Sequence, residues 1–145
     1  MSVLSMLVDH SDFKNLKITK AETAFEILKS IRKNLEAFEL DKEYFYAIGL
    51  TRRQTVRYID LVSIGSLTGT VAEPREIYRM AIHKAVGGGI IISHNHPSGN
   101  LNPSEADNKL TKKIKEAGKI IGIELIDHII FTDEGFYSYA NEGCL

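Results

Sequence analysis

The sequence contains one cysteine, few prolines and no tryptophan. Because Cys144 is the only cysteine, neither an intrachain disulfide nor a zinc site built from several cysteines can form. The three prolines do not form a Pro-rich linker, and the sequence shows neither an internal repeat nor a low-complexity tract. A length of 145 residues is typical of one domain rather than two.

The sequence also lacks an excess of charge of either sign and a long hydrophobic run. It has 18 Lys and Arg against 19 Asp and Glu, which gives a formal net charge of −1. Such a balance provides no obvious basic surface, so we expect weak DNA binding at most and no membrane partner. The longest uncharged apolar stretch, 85–92, contains three glycines and is too short to span a bilayer. The apolar start of the chain has no preceding basic segment, so we expect a cytoplasmic protein.

Hydrophobic periodicity predicts three helices separated by strands. Thr19-x-x-Glu22 has the pattern of a capping box and predicts the start of the first helix. Pro74 suits the first turn of the second helix. Ser104 and Gly118 are expected to begin and to end the third helix.

Apolar and aromatic runs between these helices predict the strands. The predicted strands are 43–50, 55–64, 90–92, 120–131 and 136–139, while 3–8 is either a short strand or a loose arm. The uninterrupted run from Ile90 to Ile92 is typical of a central strand buried on both faces. The order of elements predicts an α/β protein with a mixed β-sheet flanked by helices on both faces.

A candidate metal site follows the Ile90–Ile92 strand. His94 and His96 are two residues apart, so in an extended segment both rings point to the same side. Prolines and glycine in the loop 97–103 can turn the chain back and bring Asp107 to them. Two imidazoles and a carboxylate suit zinc, and three protein ligands leave a position open for water, as in catalytic zinc sites.

Structural alternatives exist for the same residues. Ser104-x-x-Asp107 is also a plain helix-capping pattern, and histidines on protein surfaces are common. The combination of two histidines after a buried strand with an acidic helix start is what favours a metal site. Further along, Asp127-His128 could orient a group of the site, although a structural hydrogen bond within a strand is the favoured interpretation.

The pattern His94-x-His96-x7-Ser104-x2-Asp107 resembles the JAMM motif of the MPN-type zinc metalloproteases and deubiquitinases. The longer strings HNHPSGNLNPSEAD, PREIYRMAIHKA and GIELIDHIIFTDEGFYS resemble the C-terminal domain of the bacterial RadC proteins. The similarity covers roughly residues 35–140. It implies a three-layer JAMM/MPN fold, similar in architecture to the cytidine deaminases. We therefore divide the chain into an N-terminal arm and helix, 1–35, and a RadC-like JAMM/MPN domain, 36–145, within one compact domain.

The resemblance also implies a role for each motif residue. His94, His96 and Asp107 match the ligands of one zinc ion per chain, and Ser104 matches the serine that helps hold the tetrahedral intermediate. Glu43, which opens an early strand, matches the glutamate that acts as general base on the zinc-bound water. We accordingly expect a zinc-dependent hydrolase of a peptide or isopeptide bond, acting on an unknown peptide or protein.

Two other functions have some support in the sequence pattern. A zinc nucleobase deaminase needs the H-x-E and P-C-x-x-C signatures, which one cysteine cannot supply. A DNA-repair accessory or nucleic-acid-binding module is the alternative from another class. Longer RadC proteins resemble DNA-binding proteins at their N-terminus, where they carry a helix-hairpin-helix segment, whereas only one helix is predicted before Glu43 here. The sequence predicts neither the substrate nor the oligomeric state.

Overall fold

A computed structural model of the chain describes residues 6–35, 40–65 and 72–145. Within these ranges, the strands form one six-stranded sheet. The strands are β1 (Met6–Val8), β2 (Glu43–Leu50), β3 (Val56–Gly65), β4 (Ile90–Asn95), β5 (Leu125–Phe131) and β6 (Phe136–Ser138). The α-helices are α1 (Ala21–Arg32), α2 (Pro74–His83) and α3 (Glu105–Ile121). Among these residues, no helix combines the length and apolar character needed to cross a membrane.

The sheet is mixed, as predicted. Its strand order is β1-β3-β2-β4-β5-β6, and only the pair β4–β5 is parallel. Strand β4 therefore lies in the interior of the sheet, between β2 and β5, which agrees with the buried run Ile90–Ile92. Of the two alternatives for residues 3–8, the strand is confirmed for Met6–Val8, which pairs with β3 at one edge. Residues 3–5 of that segment lie outside the described ranges.

Helices cover both faces of the sheet, as the sequence predicts. Along β2, Tyr46 and Ile48 pack in the hydrophobic cluster that contains α1, whereas Phe45 and Ala47 pack in the cluster that contains α2 and α3. This division follows from the two-residue period of a strand. Each large apolar side chain that is fully buried stabilises the fold by about 1.5–3 kcal/mol, so the packing of helices on each face of the sheet contributes to the stability of the fold. The site described below lies on the face of α2 and α3.

The prediction of a capping box at the start of the first helix is wrong. Helix α1 begins at Ala21, its N-cap is Lys20, and no side chain caps it. Thr19 therefore precedes the N-cap by one residue, too early for the cap. The start of the third helix at Ser104 is confirmed.

The role predicted for Gly118 is also wrong. Helix α3 continues to Ile121 and ends at Gly122, whose positive φ of 76° is the usual glycine conformation after a helix. Gly118 is a close-packing position instead, since a side chain there would collide with the hydroxyl of Tyr78 and the carbonyl of Ile123. Because the helix is longer than expected, the strand predicted from residue 120 begins only at Leu125.

Candidate metal centre

Strand β4 carries the first predicted ligand. It extends to Asn95, three residues past the predicted end at Ile92, so His94 belongs to the strand. His94 alternates with Ile92 and is 0% exposed. The ring of Phe45, its partner on β2, stacks on the imidazole with centroids 6.0 Å apart. A buried polar ring requires hydrogen-bond partners, and these define the site.

The loop after β4 fixes His96. Its backbone N–H donates to the carbonyl of Phe131 at the end of β5, 3.0 Å away. Its ring Nδ1 lies 2.6 Å from the carbonyl oxygen of Asn100. A carbonyl oxygen only accepts, so Nδ1 carries the hydrogen and Nε2 of the neutral ring has a free lone pair. Gly99, with φ of 84°, turns the chain between these two residues.

The first turn of α3 carries Asp107. The Ser104 hydroxyl accepts the N–H of Asp107 at 3.1 Å, and Asp107 Oδ2 accepts the N–H of Ser104 at 2.8 Å. These two bonds form a complete capping box, so the capping alternative is confirmed. Asp107 is nevertheless 1% exposed and points at the histidines, which an ordinary surface cap does not do. Helix capping and membership of the cluster are therefore both properties of this carboxylate.

His94, His96 and Asp107 come together as the sequence predicts. The two Nε2 atoms are 3.0 Å apart. Asp107 Oδ1 lies 3.2 Å from Nε2 of His94, and Oδ2 lies 3.4 Å from Nε2 of His96. All three residues offer a ligand atom within 4.8 Å of the others, an arrangement that could hold a metal ion. Nitrogen and carboxylate oxygen are ligands that zinc accepts.

Opposed effects set the protonation of this cluster. Burial by itself raises the pKa of Asp107, but the close approach of His94 and His96 and the hydrogen bond from the Ser104 backbone N–H outweigh it. The pKa of the carboxyl consequently lies well below its ordinary value. The hydrogen bond with Asp107 is the main cause that raises the pKa of His96, against the opposing effect of burial. The negative carboxylate thus attracts positive charge, either a proton or a cation, into the cluster.

Glu43 lies at the start of β2, next to the end of β4. The side chain of Asn95 holds these strand ends together, because its oxygen accepts the N–H of Tyr44 at 2.7 Å and its amide donates to Lys42 at 2.9 Å. Glu43 alternates with Phe45, which faces His94, so its side chain belongs to the face of the cluster. The charge of Glu43 also helps to raise the pKa of His96, although Asp107 and Asn100 have larger effects. The fold thus brings this predicted residue to the site.

Two further residues adjoin the cluster: Thr111, which was not predicted, and His128, for which contact with the site was the less favoured alternative. Nε2 of His128, on β5, lies 3.0 Å from Nδ1 of His94. Nδ1 of His128 lies 2.6 Å from the hydroxyl of Thr111, which donates to the backbone carbonyl of Asp107 at 2.7 Å. The structural hydrogen bond expected for Asp127-His128 belongs to Asp127, whose carboxylate accepts two backbone N–H groups. For Thr111, the signal available in the sequence was its spacing of one helical turn from Asp107, which puts both residues on the same face of α3.

Solvent reaches the cluster from the side of His96. The His96 side chain is 14% exposed, whereas those of His94 and Asp107 are 0% and 1% exposed. A cavity of about 200 Å³ borders His96 and is also lined by Arg32 and by Asp133. A larger cavity of about 620 Å³ lies against α3, and Thr111 contributes to its wall. Because only the first cavity contains a ligand residue, we take it as the approach to the site.

Comparison with known proteins agrees with this arrangement. The sequence model of the RadC-like JAB domain matches residues 18–144. A UPF0758 protein of Clostridium acetobutylicum is 40% identical over 136 residues, which cover 94% of this chain and 57% of that protein. A UPF0758 protein of Flavobacterium johnsoniae is 38% identical over 127 residues, 88% of this chain and 53% of that protein. The chain thus spans about half the length of these relatives.

Proposed function

The chain belongs to the family of RadC-like JAB domains, and from this premise we propose that it is a zinc-dependent hydrolase of a peptide or isopeptide bond. The observation that carries the proposal is the convergence of His94, His96 and Asp107 at the end of an interior strand. The ends of central strands in α/β folds are common positions for active sites. The names of these relatives state no activity, so the proposed chemistry rests on the residues of the site.

The donor set fits zinc. Nδ1 of His96 is committed to Asn100, so Nε2 of the neutral ring offers a lone pair toward Nε2 of His94 and the Asp107 carboxylate. Atoms that all accept hydrogen bonds repel one another at about 3 Å unless a cation lies among them. Zinc, when bound, would supply an acidified water and polarise the carbonyl of the scissile bond. Three protein ligands leave the open position that this chemistry needs.

Glu43 is the proposed general base. The residue is half-buried, its side chain belongs to the same face of the sheet as His94, and its charge contributes to the raised pKa of His96. In the proposed reaction it accepts a proton from the attacking water and returns it to the leaving nitrogen. A carboxylate beside a metal-bound water is the kind of group that makes the first of these transfers in metal-assisted hydrolysis.

Ser104 is the proposed oxyanion donor. Its hydroxyl oxygen accepts the N–H of Asp107, and its own hydrogen is left to donate. The residue is exposed and lies at the N-terminus of α3, where the helix dipole also favours developing negative charge. A carbonyl oxygen that becomes negative during attack would gain from both effects.

Paired measurements of metal content and hydrolysis test this function. Wild-type protein, Asp107→Asn and the control Glu105→Gln are loaded with zinc, desalted and analysed, then assayed on a panel of fluorogenic peptides and lysine isopeptides. Glu105 is an exposed carboxylate in the same first turn, so its substitution matches the change in charge but not the site. We expect zinc and hydrolysis in wild type and control and neither in Asp107→Asn. Equal zinc content and hydrolysis in all three would overturn the proposal.

A nucleic-acid-binding function is the second candidate, and one observation favours it. Lys112, Lys115 and Lys119 line the cavity of about 620 Å³ beside α3 together with Tyr137 and Tyr139. None of these three lysines has an ion-pair partner within the ranges the structure describes, unlike Lys113, which pairs with Glu73. Lysines beside aromatic rings are a combination that binds single-stranded nucleic acid.

A further inference from the structure

A chain of hydrogen bonds in the protein interior connects Asp107 with His94, two of the three proposed metal ligands. It begins at the backbone carbonyl of Asp107, passes through the Thr111 hydroxyl and the His128 ring, and ends at Nδ1 of His94. The three bonds measure 2.7, 2.6 and 3.0 Å. Thr111 is 3% exposed and His128 and His94 are each 0% exposed, so water does not compete for these atoms.

The direction of every bond in this chain follows from its first member. A backbone carbonyl only accepts, so the Thr111 hydroxyl donates its single hydrogen to Asp107. The Thr111 oxygen must then accept from His128, which places the hydrogen of His128 on Nδ1. A neutral imidazole carries one hydrogen, so Nε2 of His128 accepts from Nδ1 of His94. Nε2 of His94 is left with its lone pair toward His96 and Asp107.

Neighbouring side chains fix the orientation of the His128 ring. It is enclosed between Phe45 and Tyr139, and the Tyr139 ring stacks on it with centroids 4.9 Å apart. Both of its nitrogens are engaged, Nδ1 with Thr111 and Nε2 with His94, so packing and hydrogen bonding hold the ring in the same position.

We propose that Thr111 and His128 are positioning residues that hold His94 in the Nδ1–H tautomer and thereby determine the strength of the metal site. The inference rests on the proposed metal function, since it concerns how one of its three ligands is prepared. Partners behind a histidine ligand fix its tautomer and ring orientation, and their loss typically weakens metal affinity about 10–100-fold. His96 receives the equivalent support from the Asn100 carbonyl, so both histidines present Nε2.

Zinc affinity of a matched set of variants tests this role. Thr111→Val removes the hydroxyl with little change in shape, Thr111→Ser restores it, and His128→Phe removes the acceptor but keeps an aromatic ring. Ser93→Ala is the control, because Ser93 also carries a buried hydroxyl that donates to a backbone carbonyl, that of Ile129 at 2.7 Å, on the same pair of strands. We expect Kd for zinc, from chelator competition, to rise about 10–100-fold in Thr111→Val and His128→Phe and to stay near wild type in the other two. Equal Kd values across the set would overturn the inference.

Nitrogen NMR of the wild-type protein tests the tautomer without any metal or variant. At mildly alkaline pH, the ring nitrogens of His94 in zinc-free protein should show a protonated Nδ1 and an unprotonated Nε2. The opposite tautomer would refute the hydrogen-bond chain even if zinc binds. Failure of wild type to bind zinc would instead refute the proposed function, while the spectrum would still decide the direction of the chain.

Discussion

The Asp107 carboxylate accepts the backbone N–H of Ser104 at 2.8 Å and also lies 3.2 Å from Nε2 of His94. One side chain therefore completes the cap of α3 and also belongs to the candidate metal site. The helix start and the site are consequently coupled, because the geometry of the cap decides where the carboxylate points.

Substitutions at the two capping residues should separate these roles. Ser104→Ala removes one capping bond, so we expect a loss of about 1 kcal/mol in the free energy of unfolding with zinc content unchanged. Asp107→Ala should cause a comparable loss in the zinc-free protein and also abolish zinc binding. Chemical denaturation combined with metal analysis measures both. Full zinc binding by Asp107→Ala would show that the carboxylate is only a cap.

The pH should affect zinc binding and the stability of the zinc-free protein in opposite directions. The pKa of His96 is raised from its ordinary value of 6.5, so protons compete with zinc at this ligand below that raised pKa. Affinity for zinc should therefore increase with pH until His96 is deprotonated. In the zinc-free protein the protonated ring stabilises the fold, an effect present below pH 6.5 and lost as pH rises through the raised pKa.

Calorimetric titrations measure how zinc affinity depends on pH, and thermal unfolding of zinc-free protein measures how its stability does. Both are made from below pH 6.5 to above the raised pKa of His96. In His96→Gln, both of the pH dependences attributed to His96 should disappear. If zinc affinity were independent of pH in wild type, His96 could not be a ligand, since a protonated imidazole has no lone pair to offer.

Glu43 should serve catalysis and not metal retention. Glu43→Gln keeps the shape and removes the base, so turnover should fall about 10²–10⁴-fold while zinc content and thermal stability barely change. Glu26→Gln, an exposed carboxylate on α1, is the control and should behave as wild type. Loss of zinc from Glu43→Gln would make Glu43 a ligand, and unchanged turnover would remove it from the mechanism.

DNA binding should be weak and sensitive to salt. The 18 basic residues are balanced by 19 acidic ones, so few phosphates can be neutralised at once. Fluorescence anisotropy with single- and double-stranded oligonucleotides at physiological salt measures the affinity, with Lys112→Gln and Lys115→Gln as the variants that should reduce any binding. Submicromolar affinity lost in these variants would instead support the nucleic-acid function.

The sequence predicted the elements whose signals are local. Strand β2 has the predicted bounds, Glu43 to Leu50, because its apolar and aromatic run ends at a turn. The fold class and the grouping of His94, His96 and Asp107 were predicted for similar reasons, since the motif lies within one short stretch of chain. The sheet then brings Glu43 next to that stretch.

The features that were missed depend on contacts between distant segments. Strand β4 includes His94 and Asn95 because their polar groups are satisfied by β2 and by His128, which no local pattern shows. Gly118 resembles a helix stop, yet the approach of Tyr78 explains it. The interaction of His128 with the site involves Thr111, a residue on another element, so the sequence favoured a structural role over the orientation of a site group. The domain boundary placed at residue 36 stays a prediction.

Anomalous scattering at the zinc edge, from crystals of the zinc-loaded protein, tests the central claim most directly. We predict one strong peak per chain, with Nε2 of His94, Nε2 of His96 and a carboxylate oxygen of Asp107 each at about 2.0–2.2 Å from it. The peak should be absent in a double variant, His94→Ala with His96→Ala. A strong zinc peak elsewhere in wild type, or full zinc occupancy at this site in the double variant, would contradict the assignment of these residues as the metal centre.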